Sequence, residues 1–225
     1  MLKLVTSVVL IGLFVAGVMG WLALDQPVRV VRIEGELSAP ERREVQAQIA
    51  GSLDARLLTL NLEKLRHQIL ALSWPRTVSL RRVWPDSLEV SVSKQMVVAR
   101  WADGAFLTSS GEIVTTPDAP ANVPTFDCDL SGPKRAMEIY RLLQELASRA
   151  GLNVVTLSEN ALGEWRIDLA GGLELMLGAE QLAERMRRFL LVYRRSLGDT
   201  KRRVEYVDAR YANGVAVRWR ESGGL

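Results

Sequence analysis

The stretch Thr77-Val78-Ser79-Leu80-Arg81-Arg82-Val83-Trp84-Pro85-Asp86-Ser87-Leu88-Glu89-Val90-Ser91-Val92 reads as a β-hairpin. Leu88, Val90 and Val92 alternate with Glu89 and Ser91, the period of a strand with one buried face, and Pro85-Asp86 is turn chemistry between the two arms. Just upstream, Asn61 can cap a helix in which Leu62, Leu65, Ile69 and Leu72 recur at helical spacing, and Trp74-Pro75 ends it. His67 falls off that apolar stripe and is expected to face solvent. Further upstream, Ser38 stands three residues before Glu41 with Pro40 between them. This is a capping-box start for a helix carrying Val45, Ile49 and Leu53 on one side. Residues 28–33 alternate as a strand and stop at Gly35. Residues 28–96 are therefore predicted to fold as strand, helix, helix, strand, strand, with two helices covering one face of a three-stranded sheet.

Before this unit, residues 4–24 carry no charge and only Thr6 and Ser7 as polar side chains. A helix of that length spans about 30 Å, the thickness of the bilayer's hydrocarbon layer. The competing reading, a cleaved signal peptide, has an apolar core of only about 7–15 residues followed by a small-residue cleavage site. The longer run and Trp21 near its outer end point to an uncleaved anchor. Residues 1–3 would be a short cytoplasmic tail, and the remainder would cross to the other side.

Residues 97–220 read as a second, mixed β unit with two helices. Val97 to Trp101 and Ala105-Phe106-Leu107 flank the turn signal Asp103-Gly104. A helix is predicted over 133–150 with Ile139, Leu142, Leu143, Leu146 and Ala150 on one face, ended by Gly151. Trp165, Ile167 and Leu169 alternate, turn at Gly171-Gly172 and meet Leu173, Leu175 and Leu177. A second helix turns Leu182, Met186, Phe189, Leu190, Tyr193 and Leu197 inward, with Arg185, Arg187, Arg188, Arg194 and Arg195 largely on its other sides. Strands over 204–211 and 215–219 flank Asn213-Gly214, the strongest short hairpin signal in the chain. Residues 221–225 form a flexible tail. The fold class is α+β throughout.

Composition narrows the chemistry. Hydrophobic residues make up 48% and charged residues 24% of the 225, the balance of a folded chain. A net charge of +3 is too weak to imply nucleic acid, and Phe189 and Tyr193 lie on an apolar stripe rather than among the arginines. Cys128 is the only cysteine and reads as a small half-buried residue, so neither an intramolecular disulfide nor a thiolate zinc site can form. No Gly-rich phosphate loop, His-x-x-x-His pair or Gly-x-Ser-x-Gly elbow occurs. Asp127 and Asp129 form a carboxylate pair without a flanking acid–base constellation. No catalytic, cofactor-binding or metal-binding residue is assigned, and no cofactor is expected.

Four motifs, in this order and spacing, carry a resemblance over nearly the whole chain. They are Arg82-Val83-Trp84-Pro85-Asp86-Ser87-Leu88, Ala99-Arg100-Trp101, Ser109-Ser110-Gly111, and Val207-Asp208-Ala209-Arg210-Tyr211-Ala212-Asn213-Gly214-Val215-Ala216-Val217. Together they resemble the bacterial FtsQ/DivIB cell-division family. The resemblance implies that 28–96 is a POTRA domain (βααββ) and that the chain is a single-pass inner-membrane protein at the division septum. Its bulk would lie in the periplasm, where it would act as a divisome scaffold that binds FtsB and FtsL, together with other divisome proteins, and helps control septal peptidoglycan synthesis. Such a chain is no enzyme and binds no nucleic acid. Arg210, Tyr211, Asn213, Gly214 and Trp219 match the family's FtsB-contact stretch, and Glu184 matches a further contact position. Val215 and Val217 belong to the same last strand, which as a chain-terminal hairpin arm is expected at a sheet edge open to strand addition. Read from the residues alone, Trp219 is either a core residue or an interface anchor. A POTRA-bearing accessory of outer-membrane translocation and a cell-wall hydrolase are the alternatives. One POTRA unit, an uncleaved anchor and no barrel-like run of strands argue against the first. The missing site argues against the second.

Overall fold

The computed structural model describes residues 10–20, 26–51, 56–118, 120–198 and 204–220. Residues 10–20 (α1) are helical and exposed along their length. The rest of the predicted span 4–24, the tail 1–3 and the tail 221–225 lie outside the described residues. Among the described residues no helix is long and apolar enough to cross a membrane. The described chain divides into two compact units at Gln95/Met96, with Thr116–Asp118 grouped with the first.

In the first unit, β1 (Val30–Glu34) leads through α2 (Ala39–Ala50) and α3 (Leu62–Leu70) to β2 (Pro75–Val83) and β3 (Ser87–Lys94). The sheet order is β1-β3-β2, with β1 parallel to β3 and β2 antiparallel to it. The capping box forms as read: Glu41 N–H donates to Ser38 Oγ at 3.4 Å and Ser38 N–H donates to Glu41 Oε2 at 2.8 Å. Asn61 caps α3 by accepting from Lys64 N–H at 2.9 Å. Val45, Ile49, Leu65 and Ile69 are buried, as are Val78, Leu88, Val90 and Val92 of the sheet. Leu53 lies outside the described residues. Helix α3 ends at Leu70, so Leu72 and Trp74 both lie beyond it; Trp74 has a different part. Its ring is buried, and its indole N–H donates to Glu44 at 2.7 Å. Arg82 likewise donates to the carbonyls of Leu57 and Leu60, both at 2.7 Å, pinning the segment between the helices to β2. His67 is exposed, as its place off the stripe requires.

Among the described residues, the strands of the second unit form one nine-stranded sheet. Its strands are β4 (Val97–Arg100), β5 (Phe106–Thr108), β6 (Ile113–Val114), β7 (Thr125–Cys128), β8 (Val154–Glu159), β9 (Trp165–Leu169), β10 (Leu173–Gly178), β11 (Val204–Asp208) and β12 (Ala216–Trp219). Helix α4 (Pro133–Ser148) joins β7 to β8, and α5 (Leu182–Val192), continued by a π-turn at Tyr193–Leu197, joins β10 to β11. The spatial order is β12-β11-β10-β9-β8-β7-β4-β5-β6. Both helical connections link parallel neighbours, and both step the same way along the sheet. Right-handed crossovers of that kind place both helices on one face, and α4 and α5 do pack on each other.

That helical side holds the core: Leu157, Ile167, Leu175, Leu177 and Val207 from the sheet, with Leu143, Met186 and Phe189 from the helices. Strand alternation sends Arg166, Asp168, Glu174, Tyr206 and Arg218 to the opposite face. There Arg166 pairs with Glu174 at 3.3 Å, and Arg218 stacks 4.9 Å over the Tyr206 ring. Leu142, placed inward by periodicity, is exposed at the rim of the helix pair.

Candidate functional site

Among the described residues β12 is the terminal strand of the sheet, with a strand neighbour, β11, on one side only. Its register runs Asp208↔Ala216 and Val207↔Val217 to Val204↔Trp219. The two-residue turn expected at Asn213-Gly214 does not form. Strand β11 ends at Asp208 instead of Tyr211 and β12 begins at Ala216 instead of Val215, leaving a loop over 209–215. The cause is local. The Asp208 carboxylate accepts from the Arg210 backbone N–H at 3.0 Å, an Asx turn that bends the chain out of the ladder. Ala209 N–H, just before, still donates to the Met176 carbonyl at 2.9 Å.

Arg210 is consequently not a strand residue. Its Nε lies 3.0 Å from Asp208 Oδ1, its Nη2 2.9 Å from Oδ2, and its Nη1 2.9 Å from Glu164 Oε1. Glu164 is itself held by the Asn160 amide, which donates at 3.0 Å. These bonds favour the ionised form of both carboxylates. The Arg210 guanidinium holds Asp208 below the usual aspartate range. The Asn160 amide, and after it Arg210, does the same for Glu164. Arg210 is in turn raised, chiefly by Asp208. Gly178 closes the cluster with φ +74, and a Cβ there would lie 2.4 Å from Arg185 Nη1 and 3.2 Å from Arg210 Cγ. Arg188 donates to the Tyr211 carbonyl.

Tyr211 is 58% exposed. Asn213 is exposed, and Gly214 is half-buried. Val215, Val217 and Trp219 turn toward the helices and pack partly buried against the core, while Ala216 and Arg218 point away. Trp219 thus packs against the rim of the core and keeps part of its surface exposed. Glu184 sits exposed in the first turn of α5 and lines a groove with Leu142 of α4. Seven of the eight expected contact residues therefore share one hairpin, and Glu184 is on a neighbouring helix.

Glu164, Arg185 and Arg188 were not legible as part of this site. Glu164 stands 46 residues from Arg210 in the chain. Asp208 was legible in principle, since an aspartate two residues before a loop arginine is an Asx-turn signal.

Asp127 and Asp129 line a polar crevice of about 180 Å³ with Glu159, Glu164, Arg166 and Arg210. Glu159 is engaged by Ser131, whose backbone N–H and hydroxyl donate at 2.6 and 2.8 Å. Among the described residues no group of His, Cys, Asp or Glu is arranged to hold a metal ion. Cys128 is half-buried, and burial, with Glu159 next, pushes its thiol up to about 12. Iodoacetamide at pH 8 is therefore expected to label Cys128 slowly in the folded chain and readily after denaturation, as intact-mass measurement would read. Equal rates in both states would place the thiol in solvent.

A βααββ unit followed by a one-sided mixed sheet defines a POTRA-type α+β protein. Residues 26–95 match the family model described as POTRA domain, FtsQ-type, and residues 99–210 match Cell division protein FtsQ/DivIB, C-terminal. Among curated relatives, the cell division protein FtsQ of Allochromatium vinosum is 36% identical over 218 residues, covering 92% of this chain and 86% of its own length. That of Coxiella burnetii is 29% identical, covering 97% and 92%. That of Cellvibrio japonicus is 33% identical over 88% of this chain, which spans 62% of that relative's length. The chain belongs to the FtsQ/DivIB family of cell-division proteins.

Proposed function

We propose that this chain is a non-catalytic divisome scaffold, anchored in the inner membrane by residues 4–24, with both units in the periplasm at the division septum. Its C-terminal sheet receives FtsB by strand addition along β12, joins FtsL in the same assembly, and through them helps control septal peptidoglycan synthesis. The observation that carries the reading is the position of β12 at the sheet edge, beside a loop that presents the exposed Tyr211. An edge strand offers backbone groups for affinity, and an adjacent exposed aromatic offers an anchor. The anchor reading rests on the uncharged 21-residue run, of which residues 10–20 are helical. Two carboxylates of the crevice are engaged within the fold, Glu164 by Arg210 and Asn160 and Glu159 by Ser131.

The test is titration of the full-length chain with FtsB beside thermal denaturation of the same samples. Tyr211→Ala is expected to weaken binding about thirtyfold, the cost of truncating a buried interface aromatic, without moving the melt. Trp219→Ala is expected to lower the melt as well, because its ring packs on the core. Proline at Ala216 or Val217 probes the backbone, since only the position whose N–H faces the partner should be severe. Wild-type affinity in Tyr211→Ala and in both proline variants would rule out the edge.

A further inference from the structure

We infer that the groove between the C-terminal halves of α4 and α5 is a second docking surface, one that takes an acidic amphipathic helix of a partner protein. It lies on the helical side of the sheet, further along the two helices than the groove beside Glu184. The inference does not rest on the reading of the β12 edge.

The groove is lined by Leu146 and Arg149 of α4, by Arg187, Leu190 and Leu191 of α5, and by Arg194 of the π-turn that continues α5. Leu146 and Leu190 are buried and form its floor, whereas Leu191 is 51% exposed. Its volume of about 220 Å³ is below the roughly 300–1,000 Å³ of small-molecule sites, so it suits a partner's side chain rather than a cofactor. Arg187, Leu191 and Arg194 stand at i, i+4 and i+7, a single stripe in which the two arginines are about 10 Å apart along the axis. Both arginines are exposed, and among the described residues neither has a carboxylate within ion-pair range. Arg149 is held by a surface pair with Glu145, which is weak in water. Basic side chains near a helix C-terminus answer the helix dipole. That accounts for Arg149 and Arg194, but not for Arg187, which is mid-helix, nor for the exposed Leu191.

The occupant follows from this chemistry. A second copy of the chain meeting groove to groove would set arginine against arginine. A flat anionic bilayer would meet the guanidinium groups and leave the floor at Leu146 and Leu190 unfilled. A helix laid along α5 satisfies both features. An apolar side chain enters beside Leu191, and acidic residues at i and i+7 meet Arg187 and Arg194, whose planar forks suit carboxylates.

The test uses the full-length chain in neutral-lipid nanodiscs and a labelled helical peptide in which glutamates at i and i+7 flank a leucine. A twin peptide carries lysine at those two positions. The acidic peptide is expected to bind about tenfold more tightly than its twin or better, and to weaken as salt is raised. R187E combined with R194E should reverse the preference, a swap that loss of fold cannot produce. L191A should weaken the acidic peptide about tenfold without moving the melt. Equal binding of the two peptides, binding of neither, or an unchanged preference in the double variant would overturn the inference. Recruitment to phosphatidylglycerol vesicles that the double variant abolishes, with neither peptide bound, would assign the groove to lipid instead.

Discussion

Phe189→Ala is expected to be among the most damaging single changes in the C-terminal unit. The ring is fully buried on α5 and stands 5.7 Å from that of Tyr193. It belongs to the same core cluster as Met186 and Leu190 of its own helix and Leu175 and Leu177 of β10, on which α5 packs. Truncating a buried phenylalanine removes its transfer energy and leaves a cavity, together about 4 kcal/mol. For a unit of this size that corresponds to a melting shift on the order of 15 °C. Circular dichroism on purified protein would read it, and a shift below about 3 °C would mean the ring is not in the core. On the FtsB binding proposed above, affinity should fall in proportion to the unfolded fraction and recover on cooling. A site residue such as Tyr211 should show no such recovery.

Gly35→Ala is expected to be the corresponding change in the POTRA unit. The chain leaves β1 at φ +132, a conformation that a residue with a Cβ rarely adopts. The added atom would stand 2.2 Å from the carbonyl oxygen of Val92, which is backbone of β3 and cannot swing aside as a side chain could. Backbone strain and the displaced strand together should cost about 3 kcal/mol or more. Urea titration would measure it. Gly214→Ala is the control, because no neighbouring atom lies within 4 Å of a Cβ there. Similar stability for the two variants would show that β1 and β3 can separate cheaply.

Much of this architecture was legible because it is local. Ser38 with Glu41, and Asn61, announce helix starts through bonds that span three residues. The spacing of Leu182, Met186 and Phe189 announces a buried helix face, and Gly171-Gly172 announces the β9–β10 turn. What escaped was non-local or contested. The parallel pairings of β7 with β8 and β10 with β11 join strands separated by whole helices, and no short-range pattern encodes them. Asn213-Gly214 signalled a tight turn, but Asp208 captured the Arg210 N–H first and set a longer loop. Trp219 was ambiguous because an aromatic at a strand end serves core and interface equally well until its neighbours are known. The ion cluster around Arg210 draws on β9's lead-in, β10, α5 and β11, which only the fold brings together.

The two ends of the nine-stranded sheet are unequal. At one lies β12, four residues long; at the other lies β6, only the pair Ile113–Val114. Open-ended fibre growth needs each molecule to offer a donor edge and an acceptor edge of comparable length. Two residues make a poor template, which disfavours head-to-tail growth of copies of this chain through the sheet. A strand added at β12 terminates the assembly there.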